Sequence, residues 1–290
     1  MRRQVLSPVV IVALAAAFLV SACGEGDSAD VGEEAGTGVA ACSPSHSAEP
    51  GLEERNHTLD GVEQPYVVAV PETYDARTPV SVYIVVPGGS GGAQAAAEGW
   101  GPTLGGLDAL VVFADVGRAD RRTVPMIRAL IDDVADTYCI DRTRVFASGS
   151  SASAGFTARL MADASDVIAA FAPGIGRFGT LGLEPIGPVP LIAWSGDPDR
   201  STVENSVAEW ADSNGCERGP SVSDLGSGIA HHHYEGCDAP TEYYYFAGMG
   251  HQVPDHDCSA DRSGYCAEYE EFDFWDDVGS FFEAHPLTQS

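Results

Sequence analysis

Residues 145–161 read VFASGSSASAGFTARLM, and the fold is decided there. Val145, Phe146 and Ala147 form a short apolar run, followed by the small residues Ser148 to Ser153. Phe156, Leu160 and Met161 then fall at helical spacing. A strand, a tight turn carrying a serine and a helix make up a nucleophile elbow, which holds a serine hydroxyl exposed at the tip of a sheet. The helix start behind the turn supplies a backbone N–H and a positive dipole end for a developing oxyanion. Strand and helix pass so close that the residues two before and two after the serine must be small. Around Ser151 these are Gly149 and Ser153. A second frame, Ser151-Ala152-Ser153-Ala154-Gly155, makes Ser153 the nucleophile. Ser151 is preferred because Gly149 directly ends the apolar strand.

Outward from the elbow the chain alternates strands and helices. Tyr66 to Val70 and Val80 to Val86 are β-branched runs read as neighbouring strands, and Leu110 to Val116 is a strand buried on both faces. Val124, Ile127, Leu130, Ile131, Val134 and Tyr138 mark an amphipathic helix leading to the elbow strand. Val167 to Pro173, Pro190 to Gly196 and Glu242 to Ala247 are further strands. Ser201 to Asn214, with Thr202 as a possible cap, and a closing segment with Phe272, Trp275, Val278, Phe281 and Phe282 are helices. The expected class is α/β, a doubly wound, mostly parallel sheet with helices on both faces. Function in such a sheet gathers at the carboxyl ends of strands. Three ends carry chemistry: Ser151, the turn Gly196-Asp197-Pro198-Asp199, and Gly248-Met249-Gly250-His251. A serine needs an imidazole to take its proton, and the imidazole needs a carboxylate to fix its tautomer. Ser151, Asp199 and His251 are therefore the catalytic candidates, with Asp197 as the alternative acid, in the chain order of α/β-hydrolases. The Gly-rich loop from Pro87 to Gly92 follows a strand with no lysine behind it, which disfavours a phosphate cradle. The N–H groups of Gly89 and Ala152 are the candidate oxyanion donors.

Before this domain lie Met1-Arg2-Arg3, an apolar segment from Val9 to Val20, and Ser21-Ala22-Cys23-Gly24. Residues 1–22 read as a signal peptide. Val20-Ser21-Ala22-Cys23 resembles a bacterial lipobox, in which the cysteine is acylated and anchors the protein to a membrane without crossing it. Residues 23–41 are a Gly- and acid-rich tether, and 42–290 a single domain. The expected location is the bacterial cell envelope, outside the cytoplasm. Cys42, Cys139, Cys216, Cys237, Cys258 and Cys266 remain after Cys23, an even number that suggests three disulfides in an exported chain. Nearness favours Cys216–Cys237 and Cys258–Cys266, leaving Cys42–Cys139 by elimination. No Cys-x-x-Cys spacing occurs. The formal charge is −28, and all 15 basic residues are arginine; loss of Arg2 and Arg3 takes it to −30. Such a surface repels nucleic acid and other polyanions. Neither a cofactor nor a metal is expected, and the chain is read as a monomer.

At this point the chain resembles the exported polyhydroxybutyrate depolymerases and feruloyl or acetylxylan esterases, which are α/β-hydrolases. The carriers are Tyr138-Cys139-Ile140-Asp141 before Arg144-Val145-Phe146, the elbow with Arg159-Leu160, Ala169-Ala170-Phe171-Ala172-Pro173, Asn214-Gly215-Cys216, and Gly250-His251-Gln252-Val253-Pro254. The resemblance covers about Cys42 to Pro286. It implies a serine esterase without cofactor, with Ser151, Asp199 and His251 in the triad positions and an ester substrate: hydroxycinnamoyl or acetyl esters of plant polysaccharide, or short polyester. It also implies that an early cysteine pairs with Cys139.

Two positions depart from the family. Pro87-Gly88 stands where the oxyanion loop usually opens with His-Gly, and the elbow reads Ser-Ala-Ser where Ser-Asn-Gly is common. They motivate a rival reading, a catalytically silent lipoprotein that binds a glycan or polyester. Two weaker constellations are His231 and His233, sharing a strand face in His231-His232-His233, as metal ligands, and Asp255, Asp257 and Asp261 as Ca²⁺ ligands. Exposed polar edges and loop structure account for both more simply.

Overall fold

Val82, Ile84 and Val86 face one apolar cluster, while Tyr83 and Val85 face another, so this strand is buried on both sides. The computed structural model describes residues 42, 44, 46–89, 92–104, 107–116, 122–259 and 264–288, within the unit Ala40–Ser290. The expected signal peptide 1–22, Cys23 and the tether 23–41 lie outside the described residues.

The strands are β1 (Gly51–Leu59), β2 (Val62–Val70), β3 (Val80–Val86), β4 (Ala109–Ala114), β5 (Ile140–Ser150), β6 (Ala170–Gly174), β7 (Leu191–Ser195), β8 (Ser221–Gly226), β9 (Ile229–His233) and β10 (Thr241–Phe246). They form one sheet in the order β1-β2-β4-β3-β5-β6-β7-β10-β9-β8. From β4 to β10 the neighbours are parallel, and the pairs at either edge are antiparallel. The parallel part is the apolar part, because crossover helices cover both of its faces. The helices are α1 (Gly92–Leu104), α2 (Thr123–Thr137), α3 (Ala154–Asp163), α4 (Arg200–Ser213) and α5 (Phe274–Glu283). Ile127 and Leu130 of α2, Phe156 of α3 and Trp210 of α4 pack on one face. Ala97 and Leu104 of α1 and Phe274, Val278 and Phe282 of α5 pack on the other. This is the expected doubly wound arrangement. Among the described residues no helix is long and apolar enough to cross a membrane.

One expected adjacency fails. β2 and β3 are not neighbours, because β4 lies between them, antiparallel to β2 (Tyr66↔Ala114) and parallel to β3 (Val82↔Leu110). The apolar edges of β3 are taken by the parallel strands β4 and β5, which its crossover helices deliver. Thr202 also does not cap its helix. α4 begins at Arg200, with Asp199 in the cap position and no side-chain cap bond.

Three disulfides join Cys42 to Cys139, Cys216 to Cys237 and Cys258 to Cys266. The first closes the longest span, 97 residues, where chain entropy predicts about 4–5 kcal/mol of stabilisation. It fixes the start of the domain to the base of β5, the strand that leads to Ser151. A polar brace stands beside it: Asp141 accepts from Thr143 N–H and Oγ and from Arg144 Nε, and Arg144 also donates to Glu283 of α5. Partial burial works to raise the Asp141 carboxyl, but bonds from Thr143 and Arg144 outweigh it and hold it below the usual value of 3.8. Its stabilisation is thus present above the unfolded value and lost as pH falls through the lower folded one. The expected result is a thermal midpoint that drops as pH falls below about 4, with a shallower drop in Asp141→Asn. Equal slopes in calorimetry would remove Asp141 as a contributor.

Candidate active site

β5 ends at Ser150, a single 3-10 turn spans Ser151–Ser153, and α3 follows. Ser151 has φ 55°, the left-handed region that costs a side chain about 1–2 kcal/mol. Tight neighbours surround it. A Cβ on Gly149 would meet the Ser153 carbonyl at 2.7 Å and the Thr157 hydroxyl closer still, so no larger residue fits there.

Ser151 Oγ donates to His251 Nε2 at 2.7 Å, and His251 Nδ1–H donates to Asp199 Oδ2 at 2.7 Å. A carboxylate on Nδ1 can only accept, so that nitrogen carries the proton of the neutral ring and Nε2 is left to accept from the serine. The sheet order brings the acid and imidazole together. β7 and β10 are parallel neighbours, so the turns following them lie side by side, joined by Asp197 N–H to the Met249 carbonyl at 2.8 Å. Asp199 sits at the start of α4, and its carboxylate bonds His251 instead of capping the helix.

Asp197 does not meet the imidazole. It accepts from Tyr245 OH at 2.6 Å and Gly248 N–H at 3.1 Å, and these bonds hold its carboxyl below the usual range. Arg200 lies over the Tyr245 ring at 4.0 Å, bracing the same turn. Ser153 is likewise excluded as a partner of the histidine. Its hydroxyl is buried and donates to the Pro87 carbonyl at 2.7 Å. The two departures from the family pattern are therefore bonded to one another. The serine at the elbow holds the loop that begins with Pro87.

That loop lies against the nucleophile. A Cβ on Gly88 would stand 2.6 Å from the Ser150 carbonyl, and Gly89 takes φ 76°. Pro87, Gly89, Ser151, Trp100, Ile175 and Tyr265 line a cleft of about 280 Å³. Ala152 directly follows Ser151 in the 3-10 turn. Helix α1, with Trp100, goes unread in the sequence, although Ala93, Ala97, Trp100 and Leu104 recur at three and four. Ile175 and Tyr265 carry no local pattern that marks them.

His231 and His233 do share a face, but they converge on one carboxylate. Glu242 meets His231 Nε2 at 2.8 Å and His233 Nδ1 at 3.5 Å, and the His231 ring stacks on Tyr244. Of the calcium candidates, Asp255 is buried and Asp257 donates its N–H to Asp255 Oδ1, while Asp261 lies outside the described residues. Among the described residues no group of His, Cys, Asp or Glu could hold a metal ion.

The fold and the placement of its strand-end turns are those of an α/β-hydrolase. Acetyl xylan esterase from Aspergillus awamori superposes with a TM-score of 0.58 at 13% identity, over 80% of this chain and 99% of that one. The feruloyl esterase module from Clostridium thermocellum gives 0.53 at 12%, over 73% and 89%. In sequence, the chain is 26% identical over 182 residues to poly(3-hydroxyalkanoate) depolymerase C of Paucimonas lemoignei. That match takes in 49% of this chain and 44% of the depolymerase, so it spans less than half of the curated relative's length. No family model matches. These relatives fall in the groups that the sequence motifs resemble.

Proposed function

We propose that the chain is a serine carboxylic-ester hydrolase. The observation that carries this reading is the pair of 2.7 Å contacts running from Ser151 through His251 to Asp199. Ser151 Oγ attacks the ester carbonyl carbon while His251 Nε2 takes its proton. Asp199 holds the ring in the productive tautomer and stabilises the imidazolium. The tetrahedral oxyanion is held by the N–H groups of Gly89 and Ala152. Collapse expels the alcohol, protonated by His251, and leaves an acyl-serine. Water, deprotonated by the same histidine, releases the acid and restores Ser151. No cofactor is required.

The substrates proposed are feruloyl or acetyl esters of plant polysaccharide, or short polyhydroxyalkanoate-type polyester. The relatives' names and the motif resemblance support this class. The protein is further proposed to be exported, acylated on Cys23 and anchored at the cell envelope, a location that its three disulfides favour. The test is turnover of p-nitrophenyl acetate and methyl ferulate by the purified, folded chain. Absence of turnover of either ester would sink the reading.

The bond from Ser153 to Pro87 gives a finer prediction. Ser153→Ala removes a tie on the oxyanion loop without removing a donor. Its kcat should fall by a few-fold to about 10²-fold, less than the full loss of a donor. An unchanged kcat would mean that the loop is held without Ser153.

A further inference from the structure

Trp100 and Tyr265, which line the nucleophile cleft, also line an adjoining recess of about 20 Å³ with Leu104, Val253, Asp255 and Trp275. A volume of about 10–15 Å³ holds a single water-sized group, so the recess admits one small group and little else. Trp100, Leu104 and Val253 make its lining mostly apolar, and Asp255 and Trp275 bring polar groups to it. Asp255 Oδ2 and Trp275 Nε1 are both buried, and neither has a hydrogen-bond partner among the described residues. Asp255 and Trp275 are each 2% exposed. Unpartnered polar atoms at this depth are rare in folded proteins, and two on residues lining one recess point to a ligand that pairs them.

The two atoms are complementary. The other Asp255 oxygen, Oδ1, is already engaged by the Asp257 N–H and His256 Nδ1, each at 3.2 Å, so Oδ2 is the free acceptor. The indole N–H of Trp275 is a donor only. The occupant must therefore donate one hydrogen bond and accept another. An ammonium cannot accept from Trp275, and a ketone, ether or carboxylate cannot donate to Asp255. A hydroxyl does both.

We propose that this recess receives a hydroxyl group of the substrate, which donates to Asp255 Oδ2 and accepts from Trp275 Nε1–H. The inference deepens the esterase reading and rests on it for the word substrate. Asp255 and Trp275 then select esters that carry a hydroxyl at the far end of an arm running from Ser151 past Trp100 and Tyr265. The hydroxyl can belong to the acyl group or to the alcohol. A water molecule has the same hydrogen-bonding capacity, and the substrate hydroxyl would take its place.

The test reads binding separately from turnover, using non-hydrolysable amides and the full chain in calorimetry. On the acyl side, N-methyl-4-hydroxycinnamamide is compared with N-methylcinnamamide. On the alcohol side, N-acetyltyramine is compared with N-acetylphenethylamine. At least one hydroxylated partner should bind about tenfold more tightly, the scale of the hydrogen bonds it gains. The pair that shows the preference identifies the side. In Asp255→Asn the Asp257 N–H keeps the amide oxygen at the Oδ1 place and turns the NH₂ toward the recess. Two donors then face the hydroxyl, which keeps acceptor capacity but loses the acceptor for its own proton, and the preference should fall to about threefold or less. Trp275→Phe, which keeps a ring but loses the N–H, should also reduce it and serves if the first variant does not fold. Preferences of about threefold or less in both pairs, as for a recess that holds only water, overturn the proposal. So does a preference that survives both substitutions. A clear preference in a protein that hydrolyses no ester would leave the recess reading standing and remove the esterase reading.

Discussion

Ser151→Ala is expected to lower kcat for p-nitrophenyl acetate by roughly 10⁶-fold, to the level left by binding and oxyanion stabilisation alone. The size of the effect follows from the geometry. Ser151 Oγ bonds His251 Nε2 and Ser151 lines the cleft, and among the described residues no other hydroxyl bonds that nitrogen. Ser153 is two residues away, but its hydroxyl is buried and turned to the Pro87 carbonyl. Fold should be preserved, because alanine tolerates the small space of the elbow and His251 is the only described side chain bonded to this hydroxyl. Equal rates in the variant and the parent would assign the turnover to some other group and overturn the serine mechanism.

The second large effect separates two aspartates two residues apart. Asp199→Asn should reduce kcat by about 10⁴-fold, since an amide at that place can stabilise the wrong imidazole tautomer and cannot offset the imidazolium charge. Asp197→Asn should cost less than about tenfold. Its carboxylate receives the Tyr245 hydroxyl and the Gly248 N–H and has no contact with the ring. KM should be nearly unchanged in Asp199→Asn, because the lost interaction strengthens as charge develops. Comparable losses in the two variants would mean that the whole turn, and not one carboxylate, sets the imidazole in place.

The legible parts of this molecule were those governed by local pattern. Val145 to Met161 displays a strand, a turn and a helix because each has its own periodicity, and Gly149 marks a close approach that only glycine allows. Ser151, Asp199 and His251 could be chosen because each follows an apolar run and so falls at one edge of a parallel sheet. The partner order of β2, β3 and β4 was not legible, since strand adjacency depends on crossovers and leaves no mark in the strand itself. β1 and β8 leave little mark because edge strands with polar faces show little hydrophobic alternation, β8 being exposed along its whole length, and β9 shows only as the face shared by His231 and His233. Helix α1 hid behind its alanines and glycines. Asp255 stands out as one carboxylate among others, yet its burial, in a recess shared with Trp275 twenty residues away in a different element, is set by the tertiary fold. Such a relation has no sequence signature.

The disulfide at the base of β5 also sets a path for mechanical force. A pull on the chain ahead of Cys42 passes through a covalent link to Cys139 and enters the sheet at its central strand. Edge strand β1, which begins at Gly51 and would otherwise unzip first, carries none of that load. Tension applied at this end should therefore leave the carboxyl edge of the sheet undisturbed until the sulfur bridge is reduced. Under reducing conditions the same pull would peel β1 from β2 one residue at a time.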